Sequence, residues 1–184
     1  QFKRIDTTDA LIVFTGQMDY RPNIEAVTWF VETILPHIRV RFPHARFAIV
    51  GRAPTDAVKA LAKQPGVIVT GEVADVRGWI AAASVVVAPL KLARGIQNKV
   101  LEAMAMARPV VASRAAAEGI DHAGTIHIGE TVGEIAEEVI AILNDPVRGA
   151  EIGRDARAQV QARYSWEARL APLDAILGIS VKAP

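Results

Sequence analysis

The sequence contains no cysteine, which excludes disulfide bonds, thiolate zinc sites and cysteine nucleophiles. Its histidines lack HExxH spacing and it has no Asp-x-Asp pair, so we expect no metal site. The 21 basic and 20 acidic residues nearly cancel, without the basic patch that follows a nucleic-acid backbone. No apolar run approaches the roughly 18 residues that cross a bilayer. These absences are compatible with a soluble protein of the reducing cytoplasm that has no nucleic-acid partner.

Aromatic residues are also scarce, at 5% of the chain, whereas hydrophobic residues reach 51%. The core must therefore come from Val, Ile, Leu and Ala, which is typical of an α/β protein with buried parallel strands. A length of 184 residues suits one domain, so we predict a single domain over residues 1–184.

Six short apolar runs alternate with helical patterns along the chain. Their continuous apolarity is typical of strands that are covered on both faces. The alternation predicts an α/β fold with a doubly wound, parallel, six-stranded Rossmann-like sheet and C-terminal helices. The predicted strands are residues 11–14, 47–50, 67–70, 84–89, 109–113 and 125–128.

The helices carry recognisable start and stop signals. The first is predicted to begin at Pro22 and to be disturbed at Pro36. Thr131 and Glu134 have capping-box spacing and open the first of three C-terminal helices. Ser165 is predicted to cap the last of them. That helix is expected to pack through Trp166, Leu170, Leu173 and Leu177, and Trp29 and Trp79 are also expected to pack in the core.

The ligand crevice of an open parallel sheet lies beyond the carboxyl ends of its strands. Three of the loops there begin with a glycine, Gly16, Gly51 and Gly71, which lets a ligand approach the backbone. None of the loops completes GxGxxG or GxxxxGK[ST]. Dehydrogenase and NTPase functions are therefore disfavoured.

The helix predicted over residues 97–107 turns its polar residues toward this crevice. Asn98, Lys99 and Glu102 share an arc of about 100°. The free amides at the helix N-terminus, with Lys99 beside them, suit a diphosphate. Glu102, one turn further on, could accept two hydrogen bonds from a ribose diol. The spacing leaves open the alternative that Lys99 and Glu102 form only a surface ion pair.

At these residues the chain resembles the retaining glycosyltransferases of the GT-B fold called glycosyl transferases group 1. The resemblance rests on FTGQMDYRPNIEAVTWF, FAIVGRAP, VIVTGEVADVRGWIAAASVVVAPL, GIQNKVLEAMAMARPVVAS and YSWE. It implies that the chain is the second, donor-binding half of a two-domain enzyme whose N-terminal acceptor domain is absent here. More narrowly, MDYRPN and GIQNKVLEAMAM resemble sugar transferases of bacterial exopolysaccharide gene sets. A cytoplasmic enzyme, at the inner face of the membrane in its full-length form, fits this resemblance.

The family motif is a Glu, seven residues and a second Glu. Glu102 matches the second Glu, which implies ribose binding, whereas Arg94 stands in place of the first. The family's arginine and lysine of the first loop fall on Gln17 and Pro22. The resemblance leaves Arg21 or Arg52 to substitute for these cations, and the catalytic candidates are Arg94 and Arg21. The donor-binding candidates are Gly16, Arg52, Val73, Gly95, Ile96, Gln97, Asn98, Lys99 and Glu102.

Three further positions, Val73, Asp75 and Ala107, bear on the site and its packing. Val73 matches a residue whose backbone meets the base, and Asp75 is predicted to cap the following helix. Ala107 stands where the family mostly has glycine, which is consistent with the same tight packing.

The resemblance implies transfer of a sugar from a nucleotide-diphosphate sugar to an acceptor hydroxyl with retention, without a metal or cofactor. The base, the sugar and the acceptor do not follow from the sequence. The missing first Glu and the missing arginine–lysine pair favour an alternative, a nucleotide-binding or assembly module without catalysis. Another alternative is half of a nucleotide-sugar epimerase, which would need acids and a histidine in the crevice.

Overall fold

The computed structural model describes residues 4–6, 10–166, 168 and 170. Its centre is a six-stranded sheet in the order β3-β2-β1-β4-β5-β6, and every pairing is parallel. The predicted α/β, doubly wound parallel fold is therefore confirmed. The strands are β1 (Leu11–Thr15), β2 (Arg46–Val50), β3 (Val67–Gly71), β4 (Val85–Ala88), β5 (Val110–Ala112) and β6 (Ile126–Ile128).

The central strands are apolar because helices cover both faces of the sheet. Every residue of β1 and β4 is buried, whereas the edge strands β3 and β6 are partly exposed. β1 pairs with β2 on one side and with β4 on the other. The order of the strands reverses between β1 and β4, and such a switch point opens a crevice at the carboxyl edge of the sheet.

The long helical segment after β1 is built from three pieces. They are α1 (Arg21–Trp29), a π-helical turn (Phe30–Ile34) and α2 (Leu35–Arg41). Pro36 lies in the first turn of α2, directly after the π-helical turn, and has no N–H to donate into the continuous helix. The disturbance predicted at Pro36 is thus a wide turn just before it. The buried Phe30 ring of this turn lies 4.4 Å from the Phe47 ring of β2 and joins the helix to the sheet.

Shorter helices follow the remaining strands. They are α3 (Asp56–Ala60), which continues as a 3₁₀ turn (Leu61–Lys63), α4 (Arg77–Ala82), α5 (Asn98–Ala105) and α6 (Arg114–Ala117). The sequence did not predict α6, because four residues are too few to show helical periodicity. Its cap is local, since the Ser113 hydroxyl accepts a hydrogen bond from the Ala116 N–H at 3.2 Å.

The C-terminal helix α7 (Val132–Asn144) packs against β4, β5 and β6, and α8 (Pro146–Tyr164) packs against α5 and α7. The predicted capping box of α7 is confirmed: Thr131 Oγ1 accepts from the Glu134 N–H, and the Glu134 carboxylate accepts from the Thr131 N–H. α8 approaches the end of α5 closely at Gly153, where a Cβ would lie 2.2 Å from the Ala107 carbonyl oxygen. No helix of the described residues is long and apolar enough to cross a membrane.

One packing prediction is wrong. Trp29 and Trp79 pack against the core, but Trp166 is 79% exposed. Helical spacing places residues on one face without showing whether a neighbour covers that face. The Ser165 hydroxyl does accept a hydrogen bond from the Ala168 N–H at 3.1 Å, as expected of a cap. Leu170 is 44% exposed, and Leu173 and Leu177 lie outside the described residues.

Candidate functional site

A cavity of about 690 Å³ opens at the carboxyl edge of the sheet, at the switch point between β1 and β4. Its walls are the loops after β1, β2 and β3 and the first turn of α5. Among the predicted donor-binding residues, only Gly95 does not line it. The others do: Gly16, Arg52, Val73, Ile96, Gln97, Asn98, Lys99 and Glu102. The fold therefore brings these residues together, although their contact with a donor stays a prediction.

The N-terminus of α5 faces this cavity without a side-chain cap. Gln97, the residue before the helix, donates its side-chain amide to the carbonyls of Arg94 and Gly95 instead, at 3.2 and 3.3 Å. The free N–H groups of a first helical turn carry a partial positive charge. The arrangement is suited to an anion approaching from the cavity.

Lys99 extends from the first turn of α5 across the floor of the cavity. Its ammonium donates to Asn23 Oδ1 at 2.5 Å and lies 4.2 Å from the centre of the Phe14 ring. Burial lowers the pKa of Lys99 to about 8, although the charge of Glu102 raises it. Lys99 and Glu102 do not form the surface ion pair left open by the sequence, because the ammonium is half-buried and directed at Asn23.

Glu102 lies one helical turn further on, at the rim of the cavity. Partial desolvation raises the pKa of its carboxyl group, and the Lys99 ammonium lowers it. In the described part of the chain no group donates a hydrogen bond to this carboxylate, so both oxygens are available to a ligand.

Two glycines let the loops after β1 and β2 meet below the cavity. A Cβ at Gly51 would lie 1.7 Å from the carbonyl oxygen of Gly16, and its φ of 150° disfavours other residues. A Cβ at Gly16 would lie 2.7 Å from Asn23 Nδ2 and 3.2 Å from Lys99 Nζ. The Arg52 guanidinium donates to Gln17 Oε1 at 2.9 Å, which holds it beside the first loop.

The loop after β3 forms the opposite wall with Glu72 and Val73. Asp75 in this loop accepts the Arg77 N–H at 2.9 Å and pairs with the Arg77 guanidinium, which lowers the pKa of its carboxyl group. Asp75 thus acts at the start of α4 as expected, although the helix is assigned from Arg77 and the flanking residue is Val76.

The two catalytic candidates lie outside the cavity wall. Arg21 is on the outer face of α1, where its Nε lies 2.6 Å from Glu25 Oε1 and its side chain is 87% exposed. The Arg94 side chain is exposed, and only the carbonyl of this residue takes part in the loop before α5. Neither residue lines the cavity in this structure, and their catalytic roles stay predictions.

Two buried polar residues at the floor of the cavity were not predicted. Asn23 is 5% exposed, and its amide donates to the Gln17 carbonyl at 2.8 Å. Thr15 is 4% exposed, and among the described residues its hydroxyl has no hydrogen-bond partner. The signal for Thr15 was present in the sequence, because a polar residue ends an apolar strand where ligands of such sheets bind.

The model of the glycosyl transferases group 1 family matches residues 9–145. A related protein is the GDP-mannose-dependent monoacylated alpha-(1-6)-phosphatidylinositol monomannoside mannosyltransferase of Corynebacterium glutamicum. It is 31% identical over 154 residues, which cover 72% of this chain. The chain spans only 39% of the length of that relative.

Solved structures share the fold at lower identity. HepE from Anabaena, in complex with UDP and glucose, has a TM-score of 0.71 at 19% identity over 92% of this chain and 48% of that one. The C-terminal domain of LpcC from Francisella tularensis, a glycosyl transferase group 1 family protein, has a TM-score of 0.68 at 19% identity. That match covers 86% of this chain and 88% of the other. From the family match and the identity to the mannosyltransferase, we conclude that this chain belongs to the glycosyl transferases group 1 family.

Proposed function

We propose that this chain is the donor-binding half of a retaining glycosyltransferase that acts in polysaccharide or glycolipid assembly. The observation that carries the proposal is the uncapped N-terminus of α5, which presents amides, Lys99 and Glu102 to one cavity. The name of the Corynebacterium relative specifies GDP-mannose, and the Anabaena structure contains UDP and glucose, which supports a nucleotide-sugar donor. Acceptor binding, and any association with the inner face of the membrane, belongs to the missing N-terminal half in this proposal.

The donor fits the cavity in one direction. Its diphosphate binds at the free amides of the α5 N-terminus, where the helix dipole favours negative charge. Its ribose hydroxyls donate to the Glu102 carboxylate, which accepts no other hydrogen bond from the described residues. Its base lies toward Val73 and the loop after β2. Glu102 positions the nucleotide in this arrangement and does not act as an acid or a base.

The proposed reaction breaks the bond between the anomeric carbon and the diphosphate oxygen. The acceptor oxygen forms a bond on the same face of the sugar and loses its proton, for which any base would come from the missing half. The transition state is oxocarbenium-like, so negative charge grows on the leaving diphosphate. Amides and cations fixed around that diphosphate stabilise the charge without reorganisation. No metal or cofactor takes part in the proposed step.

The alternative of a binding module without catalysis has one observation in its favour. Arg21 and Arg94, the arginines closest in sequence to the altered family motifs, do not line the cavity. No observation favours the epimerase alternative, because it needs a histidine in the crevice and the described residues that line the cavity include no histidine.

Calorimetric titration of the chain with UDP, GDP and ADP tests donor binding. We expect one nucleotide to bind, and Glu102→Ala to weaken it roughly ten- to hundredfold, since hydrogen bonds to a charged group contribute about 1.5–3 kcal/mol. Glu137→Ala, at an exposed position of α7, is the matched control. Equal affinity in the Glu102→Ala variant would rule out the proposed site.

Catalysis is tested separately on the protein that includes the acceptor half. The expected product carries the donor's anomeric configuration, as read by NMR. Donor binding without transfer to any acceptor, and without hydrolysis of the donor, would support the binding module instead.

A further inference from the structure

An asparagine of α1 and a lysine of α5 meet at the floor of the cavity, although they lie 76 residues apart. The Asn23 amide is held at both ends: its oxygen accepts from the Lys99 ammonium, and its nitrogen donates to the Gln17 carbonyl. Because Asn23 is 5% exposed, this orientation is fixed by packing as well as by hydrogen bonds. The position of the ammonium is therefore set by Asn23 of α1, which Gln17 holds in place, and not by α5 alone.

This contact places a positive charge beside the loop after β1, where Gln17 also holds the Arg52 guanidinium. Gln17 and Pro22 stand where many family members have an arginine and a lysine. The Lys99 ammonium lies beside this loop, since a Cβ added to Gly16 would be 3.2 Å from it. A cation carried by α5 therefore lies beside the loop in which Gln17 and Pro22 stand.

The ammonium retains hydrogen-bonding capacity toward the cavity. It has three N–H donors, of which Asn23 takes one. The Phe14 ring covers one side, and no carboxylate of the described residues hydrogen-bonds to it. A half-buried lysine without a bonded anion suits a ligand that supplies one.

An independent observation at the same floor also indicates a ligand. Thr15 lines the cavity, and its hydroxyl is buried and has no partner among the described residues. A buried hydroxyl without a partner costs free energy, and native structures rarely leave one. A ligand oxygen that reaches the floor of the cavity would supply the acceptor that this hydroxyl lacks.

We propose that Lys99, positioned by Asn23 and assisted by the Thr15 hydroxyl, binds the sugar-linked phosphate of the donor in place of the family's first-loop cations. The inference rests on the proposed function. During transfer, the electron pair of the breaking carbon–oxygen bond passes to an oxygen of this phosphate, and the ammonium stabilises the added charge without giving up a proton. Lys99 is then a catalytic residue, and Asn23 is a positioning residue.

The test compares three ligands that share the preferred base: the nucleoside, its monophosphate and its diphosphate. We expect Lys99→Met to weaken the diphosphate roughly ten- to hundredfold, the range for a hydrogen bond to a charged group, while the nucleoside and monophosphate change less than about threefold. Glu102→Ala should weaken all three alike, because all carry the ribose. Lys63→Met, at an exposed position outside the cavity, is the control for loss of charge.

Further variants separate positioning from folding. Lys99→Arg keeps a charge and should retain part of the preference for the diphosphate, whereas Asn23→Leu should lose that preference with an unchanged thermal unfolding midpoint. If Asn23→Leu lowers the unfolding midpoint, its loss of binding reflects folding, and the Lys99 variants then test phosphate binding by themselves. An equal loss for all three ligands in Lys99→Met would overturn the inference and leave the proposed function standing. Failure of the unmodified chain to bind any nucleotide would overturn both.

Discussion

At Lys99 two opposing influences act on the same ammonium group. Burial lowers its pKa to about 8, whereas the nearby carboxylate of Glu102 raises it. The group is therefore mostly charged at neutral pH and loses its charge about two and a half pH units below an exposed lysine. Anything that depends on this charge should change in mildly alkaline solution.

We predict that the affinity for a nucleoside diphosphate falls as the pH rises through about 8. Bound phosphate favours the charged lysine, so binding takes up a proton wherever the free protein has lost one. Titrations between pH 7 and about 9.5 measure the change. The other titratable side chains that line the cavity are Tyr20, Arg52, Glu72 and Glu102.

Lys99→Met identifies the group responsible for the pH dependence. The variant should bind the diphosphate weakly and with nearly the same affinity across this range. A pH dependence equal to that of the unmodified chain would assign the effect to another of the lining groups.

Ala107 is a second residue whose backbone conformation determines how a substitution affects stability. Its φ is 54°, in the left-handed region where a Cβ is unfavourable, and Gly153 of α8 packs against its carbonyl. The sequence indicated tight packing at this position. The structure adds that the backbone conformation itself favours glycine.

We expect Ala107→Gly to raise the free energy of unfolding by about 0.5–1 kcal/mol. This is the left-handed penalty of about 1–2 kcal/mol less the entropy that glycine adds to the unfolded chain. Ala105→Gly, at the exposed last residue of α5, should instead lower it, by up to about 1 kcal/mol. Denaturant unfolding of both variants checks the pair, and a loss of stability at both positions would contradict the role of φ.

At the scale of elements, the starts of helices could be predicted from short sequence motifs more accurately than irregularities inside helices could. The capping box of Thr131 and Glu134 was evident in the sequence because its hydrogen bonds join residues three apart. The π-helical turn Phe30–Ile34 was not, since it depends on burying Phe30 and Ile34 while fitting Pro36 into the next turn. Only the position of the disturbance could be predicted.

We predict that Thr131→Ala destabilises the protein by about 1 kcal/mol, the usual cost of losing an N-cap side chain. Thr28→Ala, inside α1, removes a hydroxyl from a helix without removing a cap and should be neutral or slightly stabilising. Chemical denaturation measures both. Equal effects of the two substitutions would show that the capping hydrogen bonds contribute nothing.

At the scale of the whole molecule, the strands and their environment followed from the sequence, but the partners of individual side chains did not. Continuous apolar runs predicted buried parallel strands, and helical geometry turned Asn98, Lys99 and Glu102 toward the crevice. The contact between Lys99 and Asn23, the outward direction of Arg21 and the exposure of Trp166 depend on how distant segments dock. Local patterns carry no information about that docking.

The packing of the π-helical turn Phe30–Ile34 against β2 can be tested by its effect on the stability of the whole molecule. Phe30→Ala should lower the free energy of unfolding by about 3–5 kcal/mol, because it removes a fully buried ring that stacks on Phe47 of β2. Val40→Ala in α2 is the control, since Val40 is 80% exposed and should change stability by less than about 0.5 kcal/mol. A cost below about 1 kcal/mol for Phe30→Ala would contradict this packing.

The strand order means that the walls of the cavity come from two separate parts of the sequence. β1, β2 and β3 come from the first part of the sequence, and β4, β5 and β6 come from the second. Thr15, Arg52 and Val73 belong to the first part, whereas Lys99 and Glu102 belong to the second. A chain cut between α4 and β4 would leave two fragments, each with an incomplete wall. The donor would then favour their reassociation, so the recovery of one nucleotide-binding complex from two separate fragments would depend on the ligand.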